Sequence, residues 1–380
     1  MFRNKFLSIV AVLCILSTLF FGVNVLANYR ENNSRNDFFN NQDKSLELHE
    51  KILTEYKEDH LDYFGGFFLD DEGFLNINLV EDNEQKAEKN NQLNVKELVK
   101  GDNVKFRHVK YSLAELHNTT NVISNEMLTL GIKAVELDEI NNAVVVYLES
   151  LSKEVEVKSK LKNKLDFSPV IFKEMPSNVD LQFTYKVNVI NGESATYDTK
   201  ASTIGYGAKC NSTDKHGFLL AGHCSYSVGD KLYYNGDHFA TVTKKHLGGS
   251  VDAAFAERVT NTWFWQPTYR TTNSLQGIDV VGGYTISSSY PVNTVVNCYG
   301  AVSGKESGVI LSNNYNATVQ GVALTDMVKT SYCAQSGDSG APVTKTMNYW
   351  DGRENLMGLH SASAVDGDGN WIPGVSFSMF

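Results

Sequence analysis

The sequence is poor in several features that would mark other classes of protein. It has no internal repeat, no heptad run and no low-complexity tract beyond an Asn-rich, charged early stretch. Solenoid and coiled-coil architectures are therefore excluded. Basic charge is in deficit: 34 Lys and Arg against 44 Asp and Glu give a formal net charge of −10. That balance argues against nucleic acid as a partner and favours solubility. No His-Glu-x-x-His is present and the nine histidines are scattered without ligand spacing, so neither a metal nor another cofactor is expected. Cysteine is scarce, and of the five, only Cys14 lies in the first half.

What is present begins with Arg3 and Lys5 ahead of an apolar run from Phe6 to Val25, closed by Leu26 and Ala27. A basic start, an apolar centre and a small exit residue predict a secretory signal peptide over 1–27. A retained membrane anchor is the competing reading. The expected product is a released extracellular protein with no membrane attachment. Residues 28–103 are charged and Asn-rich, with one helical rhythm between Lys44 and Glu58. From 104 to about 175 a folded α+β unit is expected. It has a strand at Val104–Val109 and a helix over Ser112–Leu128 capped by Ser112 ahead of Glu115. Strands Ala134–Leu137 and Ala143–Leu148 follow, around Asn141-Asn142.

After about residue 178 the character changes to short apolar segments separated by Gly, Asn, Asp and Ser. Segments at 202–206, 218–220, 231–233, 239–242, 280–281, 292–296, 308–311 and 319–322 predict an all-β sandwich or barrel. Within it stands Ser336-Gly337-Asp338-Ser339-Gly340. The two glycines let backbone approach a substrate closely, and the amides of Gly337 and Ser339 could converge on a developing oxyanion. A polar surface turn would read the same way in isolation. A serine nucleophile also needs a base, and the base an orienting acid. His223 follows the apolar run Leu219-Leu220-Ala221-Gly222, and Asp252 heads Ala253-Ala254-Phe255. The chain order His, Asp, Ser is one of the known triad orders.

On Cys210, Ala221-Gly222-His223-Cys224, Asp252, Ser336 to Gly340 and the Gly-rich stretch Gly300–Val309, the region 188–380 resembles the secreted bacterial chymotrypsin-type serine proteases, the streptogrisin and α-lytic protease group. The resemblance implies a chymotrypsin-like double six-stranded β-barrel preceded by a propeptide over 28–187 that serves as folding aid and inhibitor. It implies a monomer acting on protein or peptide substrates, with Ser339 as nucleophile, His223 as general base and Asp252 as its orienting acid. Gly337 and Ser339 would form the oxyanion hole, and Ser361 would lie on the substrate's edge strand. Cys210 and Cys224 match the bridge beside the catalytic histidine; Cys298 and Cys333 match halves of two others and either pair together or stay free.

Ser336, His360 and Ser363 fall where glutamate-specific members carry two serines and a histidine. An imidazole and two hydroxyls suit a carboxylate, and an apolar side chain would leave them unpaired. Cleavage after Glu, more slowly after Asp, is therefore expected, and Glu174 and Glu193 offer self-cleavage points. A protease of other preference, or a catalytically silent binding protein of this fold, are the alternatives. Asp338 needs a partner. Relatives carry an arginine where this chain has Tyr299, so a freed α-amino group near Val189 or Ile190 is the expected one.

Overall fold

The computed structural model describes residues 36–379 apart from 58–59, 82–94, 101–102, 176–177, 181–193, 198–199, 225–226, 235–236, 260–267, 272–273, 280–289, 320, 349–352 and 366–370. The expected leader, the segment 280–281, Val189, Ile190 and Glu193 lie outside them.

Folded structure begins well before residue 104, which corrects the expectation for the early stretch. A helix runs over 36–56, and strands Phe64–Leu69 and Leu75–Val80 pair antiparallel. Lys105–Val109 joins them in parallel. Every residue of the first two strands is buried, and Ile52, Phe64, Leu69, Leu75 and Ile77 share one apolar core with Leu116, Ile123 and Val144. The polar residues Asn76 and Asn78 disguise this. Asn78 is fully buried and donates to the Glu139 carbonyl at 2.7 Å.

The capped helix forms over Leu113–Ser124. Ser112 Oγ accepts from the Glu115 amide at 3.2 Å and Glu115 accepts from the Ser112 amide at 2.8 Å, satisfying two of the helix's free N–H groups. It stops short of Leu128, and a separate turn, Met127–Leu130, follows. Ile132–Asp138 and Ala143–Leu148 make the expected hairpin, extended in parallel by Val170–Glu174.

The second half contains two antiparallel systems. One is a seven-stranded sheet that includes Lys215–Leu220, Lys231–Tyr234, Asp237–Gly248 and Val251–Arg258 around Leu220, Leu232, Phe239 and Val242. The other runs through Val295–Gly300, Pro342–Asn348, Arg353–Val365, Trp371–Met379, Val322–Thr330 and Gly304–Val319, and the last pairs back to the first. That closes a six-stranded barrel. Of the two expected barrels, only this one closes through the pairings of the described residues. Val319 and Val322, expected within one strand, instead end one strand and begin the next, and they face each other.

The two halves share a sheet. Ile132–Asp138 pairs with Gly304–Val319 through Tyr315 opposite Glu136 and Ala317 opposite Ala134. At this seam Lys329 Nζ lies 3.0 and 2.9 Å from the two Glu136 oxygens, and Tyr147 donates to Glu136 Oε2 at 2.6 Å. Both charged side chains are less than a fifth exposed. Removing one member strands the other in low dielectric. Glu136→Ala is accordingly expected to destabilise the full chain by about 3–5 kcal/mol, read as a lower midpoint of thermal unfolding. The 36–56 helix grips the barrel elsewhere: Leu46 enters the core containing Val296, Ile310 and Val343. Gln42 Oε1 accepts from the Val295 amide at 2.9 Å.

Candidate active site

Strand register brings two of the three candidate residues together. Leu220 pairs with Ala254 at the end of its ladder, and just beyond it Gly222 packs on His246 and Ala253, which delivers His223 to Asp252. The close approach requires glycine at 222, where a Cβ would lie 1.9 Å from the His246 carbonyl oxygen. His223 Nδ1 is 2.7 Å from Asp252 Oδ2, and the His223 amide donates to Asp252 Oδ1 at 2.6 Å. The carboxylate thus fixes both the ring and its backbone.

Ser339 arrives from the barrel, in the loop between Val322–Thr330 and Pro342–Asn348. Its Oγ is 2.9 Å from His223 Nε2. The loop is stitched to the strand behind it, because the Gly340 amide donates to the His360 carbonyl and the His360 amide to the Ala341 carbonyl, both at 2.8 Å. Thr203, from the other sheet, donates its hydroxyl to the Gly337 carbonyl at 2.7 Å and its amide to the Ser339 carbonyl at 3.0 Å. Gly337 takes a φ of 106°, a conformation suited to glycine.

His223, Asp252 and Ser339 are all buried. Burial disfavours the charged ring, but the Cys224 sulfur and the Asp252 carboxylate outweigh it and hold His223 above its ordinary value. Burial likewise works against the Asp252 carboxylate, and the His223 ring and the Ser361 hydroxyl overcome it, holding Asp252 low. Ser361 donates to Asp252 Oδ2 at 2.7 Å, a contact that sequence reasoning missed. A serine hydroxyl on a ring nitrogen whose partner nitrogen faces a buried carboxylate can lose its proton as it attacks a carbonyl.

Beside Ser339, His360 is buried, with Tyr332 Oη 3.1 Å from Nδ1 and Ser363 Oγ 3.4 Å from Nε2. Ser376 adds a hydroxyl 3.4 Å from Ser363 Oγ and donates to the Tyr332 carbonyl at 2.9 Å. Burial, and then the charge of His223, push the His360 imidazole down to about 3, so this ring is neutral. His360 and Ser363 thus meet as expected. Ser336 is half-buried on the loop before Gly337. Tyr332 and Ser376 carried no motif.

The expected Cys210–Cys224 bridge is not formed, and Cys298 and Cys333 do not pair with each other: all four are free thiols. Cys210 Sγ is turned to Ser212 Oγ, at 3.3 Å, and Lys244 Nζ, at 3.1 Å. The hydroxyls of Ser212 and Thr213, with Lys244, bring its thiol down to about 6. Cys298 is wholly buried in the barrel, where desolvation pushes its thiol up and the Tyr332 side chain bonds it.

Residues 35–109 match the family model described as a Pro-like N-terminal domain. No curated protein matches the sequence. Among solved structures, the chain is similar to a Nocardiopsis protease, at 23% identity over 51% of this chain and 92% of that one, with a TM-score of 0.41. A Cellulomonas bogoriensis chymotrypsin matches at 21% identity over 51% and 91%, TM-score 0.40. A glutamic-acid-specific serine protease matches at 17% over 50% and 92%, TM-score 0.41.

Proposed function

We propose that this chain is the precursor of a secreted serine endopeptidase that cleaves after glutamate. The observation that carries the peptidase reading is the continuous contact from Asp252 through His223 to Ser339. Ser339 attacks the peptide carbonyl, His223 takes its proton and returns it to the leaving amine, and water then releases the acyl group. The amides of Gly337 and Ser339 receive the oxyanion.

The glutamate preference rests on His360. If Tyr332 donates its hydroxyl to Nδ1, the ring proton sits on Nε2, on the side of Ser363. A neutral imidazole with its N–H directed there, beside serine hydroxyls, offers donors to a carboxylate without a buried cation. His360→Ala is expected to lower kcat/KM for a P1-Glu peptide about 10- to 100-fold while leaving apolar P1 peptides near their original rates. A processed protein assayed on a P1-varied peptide set, with Ser339→Ala as control, tests both levels. Cutting after other residues, unaffected by His360→Ala, would retain the peptidase and remove the specificity.

The front half fits a propeptide. Beyond the shared sheet, Asn178–Asp180 pairs antiparallel with the strand carrying the pocket, Asp180 opposite Ser363 and Val179 opposite Ala364. Backbone of the uncut chain thereby takes an edge that a substrate strand would use, and Ser339 is only 4% exposed. Removal of this segment is the expected activating step.

A further inference from the structure

Asp338 immediately precedes the nucleophile, is fully buried, and has no arginine next to Cys298 to neutralise it. The residue there, Tyr299, is committed elsewhere: its hydroxyl donates at 2.6 Å to Glu354, which also accepts from Asn297 and Thr344. Among the described residues no basic group pairs with Asp338. Its titratable neighbours offer no help: burial first, and then the Asp338 charge, push both Glu306 and the Cys298 thiol upward.

The carboxylate instead sits in a cradle made by one turn and its own loop. Oδ1 accepts from the Val302 amide at 2.8 Å and the Ser303 amide at 3.2 Å. Oδ2 accepts from the Gln335 amide at 2.7 Å and from the Ser303 hydroxyl. The turn packs so closely that a Cβ at Gly300 would fall 2.1 Å from Asp338 Oδ1. The same turn reaches the nucleophile loop by a second route. The Ala301 amide donates to Thr203 Oγ1 at 3.2 Å, and Thr203 holds the Gly337 and Ser339 carbonyls.

We propose that Ser303 is a positioning residue for the oxyanion-binding loop, which it holds through Asp338 with neither a cation nor a new amino terminus. Four N–H and O–H donors carry the charge that an ion pair would otherwise balance. With Asp338 so held, the peptide units on either side of it, and hence the Ser339 amide, are already set in the uncut chain, and Thr203 fixes the Gly337 carbonyl next to them. Chain cleavage then uncovers the site and does not build it. The proposal rests on the reading of Ser339 as nucleophile.

The side chain offers a clean test in processed protein. Burial already pushes the Asp338 carboxyl up against its hydrogen bonds. Deleting the Ser303 hydroxyl removes one donor to the charged form and raises that carboxyl further. Protonation of Asp338 would then loosen the loop at a higher pH than in the parent. Ser303→Ala is expected to lower kcat roughly 10- to 100-fold with little change in KM, and to move the acid limb of kcat upward. Ser303→Thr, which restores the hydroxyl, should recover both. Parent kcat and an unmoved acid limb in a folded Ser303→Ala protein would overturn the proposal.

Selective carbamylation of the α-amino group of the parent enzyme gives a second measurement, independent of whether Ser303→Ala folds. Retained kcat is expected; loss of kcat would make the amino terminus the partner of Asp338 and overturn the assignment of Ser303. A parent enzyme that cuts no peptide would remove the reading of Ser339, and this proposal with it. An active parent with an unaffected Ser303→Ala would remove this proposal alone.

Discussion

Ser339→Ala is expected to reduce peptide hydrolysis about 10⁶-fold in a protein that still folds. The hydroxyl lies 2.9 Å from His223 Nε2, and no described group is placed to substitute for it in the attack. The loop does not depend on that oxygen for its shape. Its backbone is held by Thr203, by the bonds of Gly340 and Ala341 to His360 and by the cradle around Asp338. The thermal midpoint should therefore stay near that of the parent, and the residual rate above water should reflect binding and the oxyanion donors alone. If the precursor processes itself, the same variant accumulates uncut, and added parent enzyme converts it. A variant retaining a tenth of the parent rate would require a different nucleophile.

Asp252→Asn should cost about 10⁴ in kcat with a much smaller effect on KM. Asp252 accepts from the His223 amide, the His223 ring and the Ser361 hydroxyl, at 2.6, 2.7 and 2.7 Å. An asparagine facing Nδ1 with its N–H₂ would force the ring proton onto Nε2, turning the base into a donor toward Ser339. In the parent, the carboxylate favours the imidazolium, so His223 loses its proton above the ordinary value of about 6.5. The rate should consequently rise with pH along an acid limb centred above that value, because only the deprotonated ring can accept from Ser339. Aspartate replaced by asparagine removes one of the two raising influences, beside the Cys224 sulfur, and the limb should fall. An acid limb well below 6.5 in the parent would contradict the pairing.

The three residues that meet at the candidate site were legible in the sequence because each sits in a short stretch whose chemistry is local: a glycine-flanked serine, and a histidine and an aspartate at strand ends. The pocket was legible in part. His360 and Ser363 are neighbours along one strand, whereas Tyr332 and Ser376 reach the ring only through the closed barrel. The supports of the Ser339 loop were not legible at all. Thr203 meets Gly337 across 134 positions, and Ser303 meets Asp338 across 35, and not even the Gly-rich stretch that holds Ser303 announces its contact.

The front half hid its fold for another reason. Leu75–Val80 alternates apolar residues with asparagines, the signature of a half-exposed strand. Yet both asparagines are buried, their side-chain N–H₂ groups donating to the Phe74 and Glu139 carbonyls. Asparagines whose N–H₂ groups donate inside the fold are indistinguishable from solvent-facing ones until their partners are known.

Labelling the processed protein with a fluorophosphonate and mapping the adduct by mass spectrometry tests the central claim most directly. One adduct on Ser339, absent after denaturation and strongly reduced in His223→Ala, is the predicted result, since only a serine activated by its neighbours attacks phosphorus at a useful rate. A folded, processed protein that takes no label, or takes it at another serine, would contradict the account.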